Sequence, residues 1–441
     1  MSNRYVFILL VIIAVGITSG VYILEHTGRS TSTLTTASSE ENIGSLAGCT
    51  TPSIAYVYTN NEQKARGDDF LNTFNIMANN AGIDLSNVGK CFVNASDLGV
   101  KLRLYPSLIV VGNISGLKDV VLNDQELPVI DYQISMYIAR MLRIPIEYTY
   151  TAEAIVVNGT TPYTSIGGRI IESEAHRELF SLLAEANITN IRVVSPEQLP
   201  FQTKFKPSLV FRSSYNLSRG APYIEQRAGD YYVIRDTYML DIIQGIIGSR
   251  GVELSEMPRL ALRDYPAIGS SNAPLRLYIF EDYYCPYCAR LYHDDYDLMM
   301  RYIDKDKLRV YFVDLIVHID ALQLHSLTKC LYNITGNATL YAELTRLLYE
   351  NYTSSQEKPG LEYLYALASK YVDNATLEKA KACSSEESNK IMSASSYYRS
   401  QGIRATPTLL FWRADKGMGL LITGYLEPSE FEECISMLLS R

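Results

Sequence analysis

The sequence predicts an α/β chain of three tandem repeats carried behind an N-terminal transmembrane helix, the last repeat with a helical insertion. Three observations predict it. A Pro-Ser/Thr-Leu run opens an apolar strand pattern three times, as Tyr105-Pro106-Ser107-Leu108, Lys206-Pro207-Ser208-Leu209 and Thr406-Pro407-Thr408-Leu409. A Cys285-Pro286-Tyr287-Cys288 motif follows the apolar run Leu275–Phe280 and opens a helical pattern. Tyr5–Leu24 is a run of 20 residues without a charge, the length that crosses a hydrocarbon core of roughly 30 Å.

The N-terminal run comes first. Arg4 and the amino terminus precede it and Glu25 follows. Positive-inside orientation therefore leaves residues 1–25 as cytoplasmic tip and anchor, and everything later outside. A cleaved signal peptide is the alternative, but its apolar region is typically about 7 to 15 residues, and no small-x-small site follows promptly here. Gly16 and Gly20 form a small-xxx-small pair. Leu46-Ala47-Gly48-Cys49 imitates a lipoprotein box but lies far beyond the apolar run. Residues 26–48 are rich in Ser, Thr and acid and read as a stalk.

Each repeat has a strand and a helix before its proline run, and a strand and a helix after it. In the first, residues 49–145, these are Ser53–Tyr58, Glu62–Asn80, Leu117–Leu122 and about 125–143. In the second, 146–252, they are Ala154–Val157, Glu172–Ala186, Tyr231–Arg235 and Thr237–Gly248. A linker, 253–270, leads to the third repeat, 271–441, which ends in Gly419–Thr423 and Pro428–Leu439 and holds the insertion over about 321–400. Where the third has its two cysteines, the first reads Thr59-Asn60-Asn61-Glu62 and the second Asn158-Gly159-Thr160-Thr161. Neither can exchange disulfides.

The chemistry lies in the motif. A strand that ends in C-x-x-C and continues into a helix puts the first sulfur at the helix N-terminus, where unpaired N–H groups and the dipole favour a thiolate. Cys285 is the expected nucleophile and Cys288, one turn on, the resolving thiol. Paired C-x-x-C units also hold zinc, but there is one such unit and the five His offer no ligand spacing around it. The dithiol carries two electrons itself, so no metal or organic cofactor is expected.

Strand, C-x-x-C, helix and a distant Thr-Pro before a strand resemble the thioredoxin superfamily, and the long helical stretch between the motifs is similar to its DsbA-like branch. The resemblance implies three tandem thioredoxin-like domains. It also implies a cis-proline loop against the dithiol that binds substrate backbone, which makes Thr406 and Pro407 site residues. The family often has a buried acid six residues before the first Cys; Ile279 stands there. Asp282 fits a common family position. Glu281 shares strand parity with Ile279 and is either a substitute proton acceptor or a solvated strand-end acid. The thiol-free repeats are similar to those of protein disulfide isomerases, which hold unfolded clients; a spacer role is the other reading. Cysteines placed like Cys330 and Cys383 in some relatives imply that these two pair. Cys49 and Cys91 lie at neighbouring strands of the first repeat, within bridging reach if those strands are parallel. Cys434 is left as a buried free thiol.

Composition excludes more than it assigns. A net charge of −8 without basic runs argues against nucleic acid and anionic lipid partners. Seven cysteines suit an oxidising exterior. Nine Asn stand in N-x-S/T sequons, at 94, 113, 158, 187, 216, 333, 337, 351 and 374, which supports a glycosylated exterior. With 34 Tyr, these features suit an archaeal cell-surface protein. The expected function is a membrane-anchored, extracytoplasmic thiol-disulfide oxidoreductase. Its expected partners are disulfide-bearing or unfolded exported proteins and a membrane or extracytoplasmic redox partner. The rival is a glycosylated surface scaffold whose C-x-x-C is structural.

Overall fold

The computed structural model describes Leu46 and residues 48–440, apart from 115, 167–170, 172, 219, 220, 222, 259, 261, 263 and 264. The run Tyr5–Leu24 and most of the stalk lie outside the described residues. Among the described residues, no helix is long and apolar enough to cross a membrane. The chain divides into two compact units. One takes the described residues up to Val156 with Ile170–Val193 and Leu209–Arg235; the other takes Val157–Arg169, Val194–Ser208 and Asp236 onward.

The chain begins with β1 (Ser53–Tyr58), followed by α1 (Asn61–Ala65), α2 (Gly67–Asn80) and β2 (Gly89–Asn94). Then come β3 (Leu104–Tyr105), β4 (Ser107–Val111), β5 (Val121–Asp124), β6 (Leu127–Ile130), α3 (Tyr132–Met141) and β7 (Glu147–Tyr148). The sheet order is β2-β1-β4-β6-β5, with β1 parallel to β2 and antiparallel to β4. All six residues of β1 are buried, because helices cover both faces. Ile54, Tyr56 and Tyr58 pack with Phe70 and Phe74 of α2, while Ala55 and Val57 pack with Tyr132 and Met136 of α3. Cys49 and Cys91 are joined by a disulfide.

Two expected helices start or break elsewhere. The one expected over 62–80 is interrupted at Arg66, with φ of −102° and ψ of 5°, and resumes at Gly67, where the Tyr56 and Phe92 rings leave no room for a side chain. The one expected over 125–143 begins at Tyr132. Gln125 and Glu126 take φ of 53° and 67°, which turns β5 back into β6 as a two-residue hairpin. Asp131 then caps α3 by accepting from the Gln133 amide at 3.0 Å.

Next are β8 (Thr151–Val157), α4 (Glu174–Ala184), β9 (Asn187–Val194), β10 (Phe205–Lys206), β11 (Ser208–Arg212), β12 (Ile224–Ala228) and β13 (Tyr231–Ile234). Five of these strands form a sheet in the order β12-β13-β11-β8-β9. Within the first unit a buried polar network has formed around Arg103. Its Nη1 lies 2.6 Å from Glu185, both side chains being 1% exposed. The Gln133 amide group donates to the Tyr223 hydroxyl at 2.6 Å and to Glu185 at 3.2 Å.

The remaining elements are α5 (Asp236–Ile242), β14 (Gly251–Leu254), β15 (Ala267–Ile268), β16 (Leu275–Glu281), α6 (Pro286–Ile303) and β17 (Leu308–Asp314). After them come α7 (Leu322–Thr335), α8 (Ala338–Ser355), α9 (Leu361–Ala368), α10 (Asn374–Ser400), β18 (Thr408–Arg413), β19 (Met418–Thr423) and α11 (Pro428–Ser440). The sheet order is β10-β14-β19-β18-β16-β17-β15. β16 runs parallel to β17 and antiparallel to β18. Four helices, α7 to α10, fill the connection from β17 to β18, and Cys330 of α7 is disulfide-bonded to Cys383 of α10. Leu275, Leu277 and Ile279 of β16 pack with Leu291, Leu298 and Met299 of α6 in the core.

Arg103→Ala is expected to cost about 3–5 kcal/mol, because it leaves the Glu185 carboxylate buried without its cation. Paired apolar replacement of Arg103 and Glu185 should cost less than the single change; chemical denaturation measures both.

Candidate active site

β16 delivers the chain to the site and α6 receives it. Cys285 is the N-cap of α6, with extended φ and ψ of −84° and 117°, and Pro286 occupies the first turn, where a missing N–H costs nothing. Cys285 is 5% exposed and Cys288 fully buried, both as free thiols. Tyr287 between them is 59% exposed. The Thr406–Pro407 peptide is cis, and the Cys285 thiol donates to the Thr406 carbonyl at 3.2 Å. The structure thus brings together all four residues expected at the site, from segments 121 residues apart.

Hydrogen bonds make Cys285 acidic. The Cys288 thiol is the largest contributor; burial opposes it, and Thr406 and the Tyr287 and Cys288 amides add to it. The result pulls Cys285 down from 9.0 to about 6. Cys288 moves the other way, pushed well up by burial and then by the neighbouring Cys285. One sulfur is set to ionise and the other to keep its proton.

Glu281 and Asp282, placed at the strand end, are not solvated: both are fully buried. Glu281 faces α6, where Tyr292 donates to its Oε2 at 2.6 Å. Burial is the main reason its carboxyl is pushed well above the usual range, and its charge acts on Cys288. Asp282 has a different task. Its carboxylate accepts from the Tyr284 amide at 2.8 Å and from the Val317 and His318 amides at 2.6 and 2.7 Å. That ties the turn before the dithiol to the chain after β17.

The helical insertion adds a second tie that residue patterns did not single out. His325 of α7 accepts from the Tyr283 amide at 3.0 Å through Nε2, so its Nδ1 donates to Asp314 at 2.7 Å. The ring also stacks on Tyr283, with centroids 4.0 Å apart. Its only sequence signal is a His inside an otherwise apolar helical stretch, which reads equally well as core. Elsewhere, Cys434 is a buried free thiol pushed up to about 12 by burial. Among the described residues one cluster has metal-ligating types, Cys330, Cys383 and Glu387, and its two sulfurs are joined to each other.

Residues 263–411 match the family described as Thioredoxin. The matched segment is the one that carries the dithiol and the Thr406–Pro407 peptide. Among solved structures, Wolbachia pipientis alpha-DsbA1 is 18% identical, covering 41% of this chain and 94% of its own, with a TM-score of 0.35. BdbD from Bacillus subtilis, oxidised, is 21% identical over 40% and 94%, with a TM-score of 0.33. Chlamydia trachomatis DsbA is 19% identical over 42% and 94%, with a TM-score of 0.34. No curated protein matches the chain.

Iodoacetamide should modify Cys285 with a rate that rises through about pH 6 and is level by neutrality, while Cys434 stays silent there. The folded thiol ionises at about 6 against 9.0 for an ordinary one. The reduced fold therefore gains stability as pH rises from 6 to 9, and that gain is absent below pH 6. Denaturation of reduced and oxidised protein across this window measures the difference.

Proposed function

We propose that this protein is a membrane-anchored, extracytoplasmic thiol-disulfide oxidoreductase that forms or reshuffles disulfides in exported proteins. The observation that carries the reading is the Cys285 sulfur at the start of α6, acidified by hydrogen bonds and set against the Thr406 carbonyl. The uncharged run Tyr5–Leu24 supports the anchor, and the nine sequons support an exterior address. Our reading of the whole chain is three thioredoxin-like units, of which the first two lack thiols. Support comes from β4, β11 and β18, which open directly after Pro106, Pro207 and Pro407 and each lie inside their sheet.

In the oxidised protein, a client thiolate attacks Cys285. A client–Cys285 bond forms and the Cys285–Cys288 bond breaks; Cys288 leaves with the electron pair and takes up a proton. A second client thiolate then attacks the client sulfur. The client disulfide forms and Cys285 leaves as a thiolate, so two electrons have passed to the dithiol. Stabilising that departing thiolate favours donation of the disulfide. We assign to Glu281, whose carboxyl burial pushes well above the usual range, the supply of the proton to Cys288 and its return when Cys288 attacks. A redox partner in the membrane or outside it must reoxidise the pair. The Thr406-Pro407 loop presents the client backbone.

Cys288→Ser should trap a mixed disulfide, visible on non-reducing gels, when the Cys285 thiolate attacks a disulfide-bearing client and the client's other sulfur leaves as a thiolate; Cys285→Ser should trap none. A 285–288 bond that resists reduction below about −300 mV, with no trapped client, would leave the scaffold reading instead. Glu281→Gln, in protein that keeps Cys288, should slow the attack of Cys288 on the mixed disulfide by about 10²-fold or more and flatten the pH dependence of client release.

A further inference from the structure

Two short strands occupy equivalent places in the thiol-free parts of the chain. β3 lies immediately before Pro106 and is paired antiparallel by β7, with Leu104 opposite Tyr148 and Tyr105 opposite Glu147. β10 lies immediately before Pro207 and is paired antiparallel by β14, with Phe205 opposite Leu254 and Lys206 opposite Glu253. In both, the residue before the cis-proline faces a glutamate. Each pairing strand also comes from the segment that follows the last helix of its own repeat, within Ile146-Glu147-Tyr148 and Val252-Glu253-Leu254.

The glutamates do the same thing. Glu147 accepts from the Asn60 side chain, and Glu253 accepts from the Thr160 hydroxyl at 2.7 Å, the Thr161 amide at 3.1 Å and the Thr164 hydroxyl. Asn60, Thr160 and Thr161 belong to the loops that stand where the third repeat has its dithiol. Each of β7 and β14 thus holds the short strand before the proline with its backbone and the thiol-free loop with its carboxylate. An extended peptide bound at such an edge uses backbone pairing in the same way.

The third repeat differs. Among the described residues no strand pairs with Arg404–Thr406, Arg404 and Ala405 are exposed, and the Thr406 carbonyl faces Cys285.

We propose that β7 and β14 are built-in occupants of the peptide-docking edges of the two thiol-free units, so that an external extended polypeptide docks only at the edge before Pro407. This rests on reading the chain as three thioredoxin-like units with a client at the dithiol. The consequence is that clients are not shared among three grooves: two are closed by the chain itself, and the one left open is beside the reactive sulfur.

The test places the photocrosslinker benzoylphenylalanine singly at Tyr105, Lys206 or Ala405 of the full chain, with reduced and carboxymethylated α-lactalbumin as probe, which cannot form a mixed disulfide. The expected result is intrachain crosslinks from 105 to the peptide containing Glu147 and from 206 to that containing Glu253. Probe capture at both positions should be at background, with capture at 405. Probe captured at 105 or 206 as strongly as at 405 would overturn the proposal. Intrachain crosslinks at 105 and 206 with no capture at 405 would uphold the occupied edges and remove the client-binding reading of the third. Glu253→Ala, added to the chain labelled at 206, should reduce the intrachain crosslink and admit the probe, whereas Glu253→Gln, which still accepts from the threonines, should not. An intrachain yield unchanged by Glu253→Ala would count against the carboxylate as the latch.

Discussion

A thiolate can persist in a nearly closed protein site only where donors replace the water it has lost. In this chain those donors are the first amides of α6 and the Cys288 thiol, and that requirement governs the surrounding structure. β16 must end where α6 begins, so the sulfur falls at the N-cap and not inside the helix. The loop before β18 returns to the same point, where Thr406 adds a further hydrogen bond that lowers the thiol's pKa. Raising Cys288 while lowering Cys285 follows from the same geometry: one sulfur sits at the helix start and the other, one turn in, is fully buried beside Cys285.

A turn that carries reactive sulfurs has to be held without rigid secondary structure of its own. Two buried acids share that work. Asp282 accepts three amides around the end of β17, and Asp314 orients His325, which in turn holds the Tyr283 amide. The helical insertion is therefore a support for the active turn as well as a cover over it. Arg103 and Glu185 play the corresponding structural part in the first unit, where a charged pair almost without exposure takes the place of apolar packing.

The short strands add a different kind of economy. A sheet edge left open is a template for any extended chain. β7 and β14 cover the short strands before Pro106 and Pro207 with segments of the chain itself, each using one backbone pairing and one carboxylate. β14 goes further and pairs on its other side with β19, so it extends the sheet of the dithiol domain as well.

What the sequence by itself determined is local. The Cys-Pro-Tyr-Cys motif at a helix start, the three proline-led strands and the last helix are legible because each is a contiguous pattern with its own physical cause. The reactive role of Cys285 is legible for the same reason. Tertiary structure decided the rest. The Gln125–Glu126 hairpin is hidden within a helical pattern because its two positive φ values are imposed by neighbouring strands and not by residue types that favour them. Glu281 and Asp282 look like ordinary strand-end acids until α6 and the chain after β17 enclose them. β3, β7, β10 and β14 are two to four residues long, too short for any periodicity to show. Burial and pairing of this kind depend on which distant segments meet, and a one-dimensional pattern does not record that.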